Sequence, residues 1–169
     1  MNDDFRDYVS TRLEGWRRTA YLLCGDWHTA DDVVSAALMR VYRHWRRVST
    51  MDNPDAYVRQ ALVRTWLNER RRPWRREMLA GATMPDPPSS RAGPEASVTD
   101  RMTVLALLAE LPAKRRAVLV LRYFCDLSVE DTAVALGCST GNVKSQTARA
   151  LGALRARLAP TLSVEGDQG

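Results

Sequence analysis

The sequence predicts an all-α protein: two small helical domains joined by a flexible linker, the C-terminal one a four-helix domain with a helix-turn-helix. Three observations predict it. Apolar residues recur at spacings of three and four through most of the chain, with no period-two runs rich in Val, Ile and Thr. One long stretch, Met78 to Thr99, holds four of the eight prolines together with Ser, Gly and Ala and has no period at all. Near the C-terminus, two helical patterns are separated only by "GCST".

The first helix is expected over Asp3–Leu23, where Phe5, Tyr8, Val9, Leu13, Trp16, Ala20 and Leu23 form a stripe. A second is expected over Thr29–Trp45, where Ala30, Val33, Val34, Ala37, Leu38, Val41, Tyr42 and Trp45 form the core stripe, with Thr29 as its cap and Asp31 and Asp32 favourable against the helix dipole. Asn53 or Pro54 opens a third through Ala56, Tyr57, Ala61, Leu62, Thr65 and Trp66. A small domain needs large side chains to close its core, which assigns Trp16, Trp45 and Trp66 to the interior. Trp74 differs, because it sits among five arginines in "NERRRPWRRE", a pattern suited to nucleic acid.

The proline-rich stretch reads as a linker spanning roughly 25 Å in the mean and about 70 Å when extended. The boundaries expected are therefore 1–77 for the first domain, 78–99 for the linker, 100–160 for the second domain and 161–169 for a tail. In the second domain, a helix through Met102, Leu105, Leu108 and Leu111 ends before Pro112, and another runs through Val118, Leu119, Leu121, Arg122 and Tyr123.

Ser128 and Asp131 then mark a capped start, Gly137 supplies a left-handed stop, and Ser139 or Thr140 caps the next helix. That last helix turns Val143, Thr147, Ala150, Leu151, Leu154 and Leu158 toward a core. Its other face carries Asn142, Lys144, Ser145, Gln146 and Arg149, with no Asp or Glu between Cys138 and Pro160. Such a face offers donors and positive charge to a polyanion. Lys144 and Arg149 lie about 140° apart around the helix at roughly 100° per residue, so they reach opposite sides of a groove.

Twenty-five Lys and Arg against twenty Asp and Glu give a net charge of +5, which suits a nucleic acid or an acidic partner. No run approaches the roughly 18 apolar residues of a membrane span, and the acidic start "MNDDFRDYV" does not read as a signal peptide, so a cytoplasmic protein is expected. Cys24, Cys125 and Cys138 are scattered, as in a reducing compartment. Cys24 and His28 are at helical spacing, but a zinc site needs about four ligands, so neither metal nor cofactor is expected. Phosphate-loop, His-Glu metal and Gly-x-Ser-x-Gly motifs are absent, and with them any expected catalytic residue.

"LPAKRRAVLVLRYFCDLSVEDTAVALGCSTGNVKSQTARALGALR" resembles region four of the extracytoplasmic-function (ECF) RNA polymerase sigma factors of the sigma-70 family, and "ADDVVSAALMRVYRHW" with "NPDAYVRQALVRTWLNERRR" resembles region two. The aromatic-rich, arginine-heavy wording is similar to the SigE-type actinobacterial group. The resemblance implies a sigma factor that binds the clamp and flap of core RNA polymerase and directs initiation at −35 and −10 promoter DNA, held in check by an anti-sigma factor. It implies −35 contacts by Ser139, Thr140, Asn142, Lys144, Ser145, Gln146 and Arg149. It implies a pocket for a flipped −10 base at Ser49, Thr50, Met51, Asp52 and Asn53, and strand contacts by Arg59, Arg64, Asn68, Arg71 and Arg72. It makes Asp31, Asp32, Leu38, Arg40 and Trp45 the polymerase-binding candidates. The chain departs from the family at Ser35-Ala36, where Gln-Glu is common, and at Gln146, where Arg is frequent. The alternative is a stand-alone helix-turn-helix repressor or activator with a sensing or dimerising first domain.

Overall fold

The computed structural model describes residues 2–70 and 98–165, with side chains described for 2–70 and 104–158. The expected linker, apart from its last two residues, and Arg71, Arg72 and Trp74 lie outside the described residues. Among those described, every regular element is helical: α1 (Asp3–Cys24), α2 (Trp27–Arg43), α3 (Trp45–Val48), α4 (Pro54–Arg70), α5 (Val98–Glu110), α6 (Ala113–Leu119), a π-helical turn (Val120–Phe124), α7 (Val129–Leu136) and α8 (Thr140–Glu165).

Local chemistry sets most boundaries. Asn2 caps α1 by accepting from the Asp4 amide, and Gly25 ends it in the left-handed region at φ 84°. The second helix starts two residues earlier than expected, because Asp26 and not Thr29 is the cap: its carboxylate accepts from the Thr29 amide at 2.7 Å. That helix breaks at His44, and the expected run to Trp45 becomes two elements, α2 and the single turn α3. Asn53 caps α4 by accepting from the Ala56 amide at 3.2 Å, which leaves Pro54 in the first turn, where its missing N–H costs nothing. The final helix runs to Glu165, past the boundary expected at 160.

Helices α1, α2 and α4 enclose Trp16, Leu23, Val33, Val41 and Leu62, and Trp45 and Trp66 are buried with them. A second tie joins α1 to α4. The Tyr8 hydroxyl donates to Asp55, Arg12 pairs with the same carboxylate at 3.0 Å, and the Arg12 guanidinium lies 4.3 Å from the Tyr8 ring centre. In the C-terminal half, Val118, Ala133 and Val143 form one apolar cluster, while Leu108, Leu111, Leu119 and Ala150 form another.

The two halves are packed against each other, which a reading as linked domains did not indicate. Ala117, Val120, Leu121, Leu127 and Ala135 join the same buried cluster as Val58, Leu62 and Trp66. The seam runs chiefly between α4 and α7, and α1 meets the π-helical turn, where Thr19 and Cys125 lie 3.7 Å apart. Arg116, 5% exposed, crosses the seam by donating to the Leu23 carbonyl of α1 at 2.7 Å while holding the Ala109 carbonyl of its own half at 2.9 Å.

Candidate nucleic-acid and polymerase interface

The helix-turn-helix is built from three local devices. The Ser128 hydroxyl accepts from the Asp131 amide at 3.0 Å and starts α7. Gly137, at φ 66°, ends that helix in a conformation that most side chains disfavour. The Ser139 hydroxyl accepts from the Asn142 amide at 3.1 Å and starts α8. Val143 and Ala150 are fully buried and fix the rotation of α8, leaving Ser139, Thr140, Asn142, Lys144, Ser145 and Arg149 exposed. The remaining −35 candidate, Gln146, is half-buried, and its amide oxygen accepts from Arg115 Nε of α6 at 3.2 Å.

The −10 candidates are spread along the other half. The loop after α3 exposes Ser49, Thr50, Asp52 and Asn53, with Met51 half-buried. Three of these side chains serve the backbone: Ser49 donates to the Arg46 carbonyl at 3.2 Å, Thr50 to the Arg47 carbonyl at 2.8 Å, and Asn53 caps α4. On α4, Arg64 and Asn68 are exposed and Arg59 is half-buried. Arg64 points toward the helix-turn-helix: one of its guanidinium nitrogens is 3.6 Å from where a Cβ on Gly137 would stand. Because the guanidinium has donors only, the neighbouring amide of Gln60 must turn its oxygen toward it, at 3.0 and 2.6 Å.

Of the polymerase-binding candidates, Asp32 and Arg40 are exposed on α2 and Leu38 is half-buried against the core. Asp31 is engaged internally, accepting from Arg17 Nε at 2.6 Å and from a second guanidinium nitrogen at 3.3 Å. The bond to Asp31, helped by one to Glu14, holds Arg17 more firmly protonated than a free arginine. Trp45 does not present itself to a partner. At 7% exposure it packs edge-on to Phe5 at 5.2 Å and against Tyr8 at 4.9 Å, so its role is to support α2 and α3 from inside.

Three residues escaped the sequence reading. Met39 on α2 is 62% exposed beside Arg40, and Tyr42, expected in the core stripe, is 42% exposed. The signal for Met39 was its position off that stripe; Tyr42 carried none. Arg115 also carried none, since a basic run at a helix start reads as a solvated face.

Comparison with known proteins gives this geometry a family. Residues 9–76 match sigma-70 region 2, and residues 101–154 match sigma-70 region 4. The chain is 35% identical over 159 residues to an RNA polymerase sigma-E factor of Streptomyces avermitilis, covering 92% of this chain and 85% of that one. It is 30% identical over 143 residues to the ECF RNA polymerase sigma factor SigL of Mycobacterium tuberculosis, covering 83% and 81%. In structure it is similar to the sigma factor RpoE solved with the anti-sigma factor NepR from Bartonella quintana, with a TM-score of 0.76 at 23% identity over 94% of this chain and 98% of that one. A second likeness is to CnrH in complex with the cytosolic domain of CnrY, with a TM-score of 0.62 at 22% identity over 94% and 90%. Both halves and nearly the whole length are thereby accounted for: the chain belongs to the ECF branch of the sigma-70 family, the SigE-type group, and is a sigma factor that directs core RNA polymerase to promoters.

Proposed function

We propose that the two halves divide promoter recognition. The C-terminal half, from residue 100 to 160, reads the −35 element through α8. The N-terminal half, residues 1–77, binds the polymerase clamp through α2 and opens the −10 element with the loop Ser49–Asn53, α4, and Arg71 and Arg72. The observation that carries this reading is the capped helix α8, free of Asp and Glu from Thr140 to Pro160, whose rotation leaves Asn142, Lys144, Ser145 and Arg149 outward. Phosphate contacts position such a helix and base contacts specify its sequence. Exposed Met39 and Tyr42 beside Arg40 give α2 an apolar patch suited to a protein partner.

The protein acts without catalysis of its own, in the cytoplasm where polymerase and promoter are, and is restrained by an anti-sigma factor. The similar RpoE and CnrH structures were solved with such a partner or its counterpart, which supports the last point. Elements about 25 base pairs apart are separated by roughly 85 Å at 3.4 Å per base pair. A compact chain of this length has a radius of gyration of about 15 Å. Simultaneous contact therefore requires the seam between the halves to open, with the linker spanning the gap.

The test is transcription in vitro with core polymerase, with and without the protein, across a promoter library. Specific initiation that depends on its addition, with weak duplex binding by the protein alone, is the expected result. Initiation that never depends on it would sink the reading.

A further inference from the structure

We propose that Arg115 is a specificity-positioning residue of the −35 interface, acting through Gln146; this rests on the assignment of α8 as the −35 reading helix. A glutamine side chain in a groove is ambiguous, because its amide offers an acceptor on one side and two donors on the other. Arg115 removes the ambiguity. A guanidinium has donors only, so the group it faces at 3.2 Å can only be the Gln146 oxygen. The amide nitrogen is then turned to the opposite side.

The surroundings make this polarity durable. Arg115 and Gln146 are both half-buried, and the helices carrying them are locked together by Val118 and Leu119 of α6 against Val143 and Ala150 of α8. Gln146 also lies in one column with Asn142 and Arg149, at spacings of four and three, and both of those are exposed. It thus stands at the edge of the reading face, its oxygen bound inward and its N–H groups free to point along the column toward bases.

A glutamine that reads adenine uses both ends of the amide at once, accepting from N6 and donating to N7. With its oxygen committed to Arg115, Gln146 acts as a donor. It should favour a base edge presenting acceptors, guanine N7 and O6 or thymine O4, and disfavour cytosine, whose major-groove edge is a donor. The same contact explains why glutamine is accommodated at this position: an arginine there would set two guanidinium groups against each other.

The test uses the full chain with core polymerase and measures initiation across all four bases at each −35 position for the wild type and for Arg115→Ala, Arg115→Lys, Gln146→Ala, Gln146→Glu, Arg149→Ala and the double variant Arg115→Ala/Gln146→Ala. Gln146→Ala should flatten one position by roughly five- to tenfold. Arg115→Ala should alter discrimination at that same position, and the double variant should do no more than Gln146→Ala alone. Gln146→Glu keeps its partner but exchanges the outward donors for an acceptor, so the favoured base should shift toward cytosine. Arg115→Lys, which still donates, should restore much of the wild-type profile and guards against a folding defect in the alanine variant. A uniform loss at every −35 sequence in both Arg115 variants, or an effect that adds fully to that of Gln146→Ala, would overturn the proposal by showing a phosphate or folding role. If Arg149→Ala also leaves the −35 profile unchanged, the reading of α8 itself fails.

Discussion

Arg116 is a guanidinium with little water around it. Burial, and then the nearby charge of Arg70, lowers its pKa to about 10. It remains charged at neutral pH and donates through its two terminal nitrogens to helix-end carbonyls, of Leu23 and Ala109, with its centre 5.6 Å from the Trp66 ring. Arg116→Ala leaves those carbonyls without their donor and should cost about 2–4 kcal/mol. Thermal unfolding should show a fall of roughly 5–10 °C, and Arg116→Lys, which keeps one donor group, a smaller one. Cys24, close by, is pushed up to about 12, first by burial and then by Asp26 and Glu69. Its thiol should therefore alkylate at pH 8 at least tenfold more slowly in the folded protein than in denaturant, which mass spectrometry of the labelled peptide would show. The sign for stability follows: between its ordinary 9.0 and about 12 the unfolded thiol ionises first, so this group's stabilisation is complete below pH 9 and lost as pH rises. Sequence made Cys24 legible as an unpaired thiol, but Arg116 was one of three successive basic residues with nothing to mark it as interior.

Among elements, the turn between α7 and α8 was the most legible, because its parts are local. Ser128, Gly137 and Ser139 act on backbone groups within four residues of themselves, and such chemistry is written in the sequence in order. The start of α2 was misjudged for a related reason: Asp26 and Thr29 are both competent caps, and only the backbone conformation at Asp26, extended at φ −142°, decides between them. Two glycines of this region should respond oppositely to alanine. Gly137→Ala forces a side chain into the left-handed region at φ 66° and should cost about 1–2 kcal/mol. Gly152→Ala, on α8 with no positive φ and with open space within 4 Å of an added Cβ beyond the helix's own backbone, should stabilise by up to about 1 kcal/mol. Urea unfolding of the two variants checks both signs.

For the whole molecule, the seam was not legible, since Ala117, Leu121 and Ala135 look in sequence like core residues of their own half. Whether an apolar stripe has one neighbour or two depends on distant chain. The surroundings of the family-derived candidates were not legible: Arg64 lies beside Gly137 in the closed molecule, Asp31 is held by Arg17, and Trp45 is inside. Opening can be followed by energy transfer between dyes on Ser10→Cys in α1 and Arg155→Cys in α8, both exposed positions outside the proposed interfaces. Transfer should be high in the free protein and low in the polymerase–promoter complex. High transfer persisting in a transcribing complex would show that the halves work while packed together.

The shared core also sets a population. If only a small fraction of free molecules is open at any moment, the apparent affinity for polymerase is reduced by that fraction, and each 1.4 kcal/mol held in the seam weakens it about tenfold. If the halves divide promoter recognition as proposed, polymerase brings that free energy from its own contacts, whereas an isolated −35 sequence touching α8 alone has no comparable source. On that reading the seam acts as a threshold: stray upstream motifs are met by a folded, closed protein, and Arg64 is released from beside Gly137 only where a partner large enough to hold both halves is present. On the same reading, residues buried in the shared core, Leu62 and Ala135 among them, set how much protein the cell must make before transcription responds.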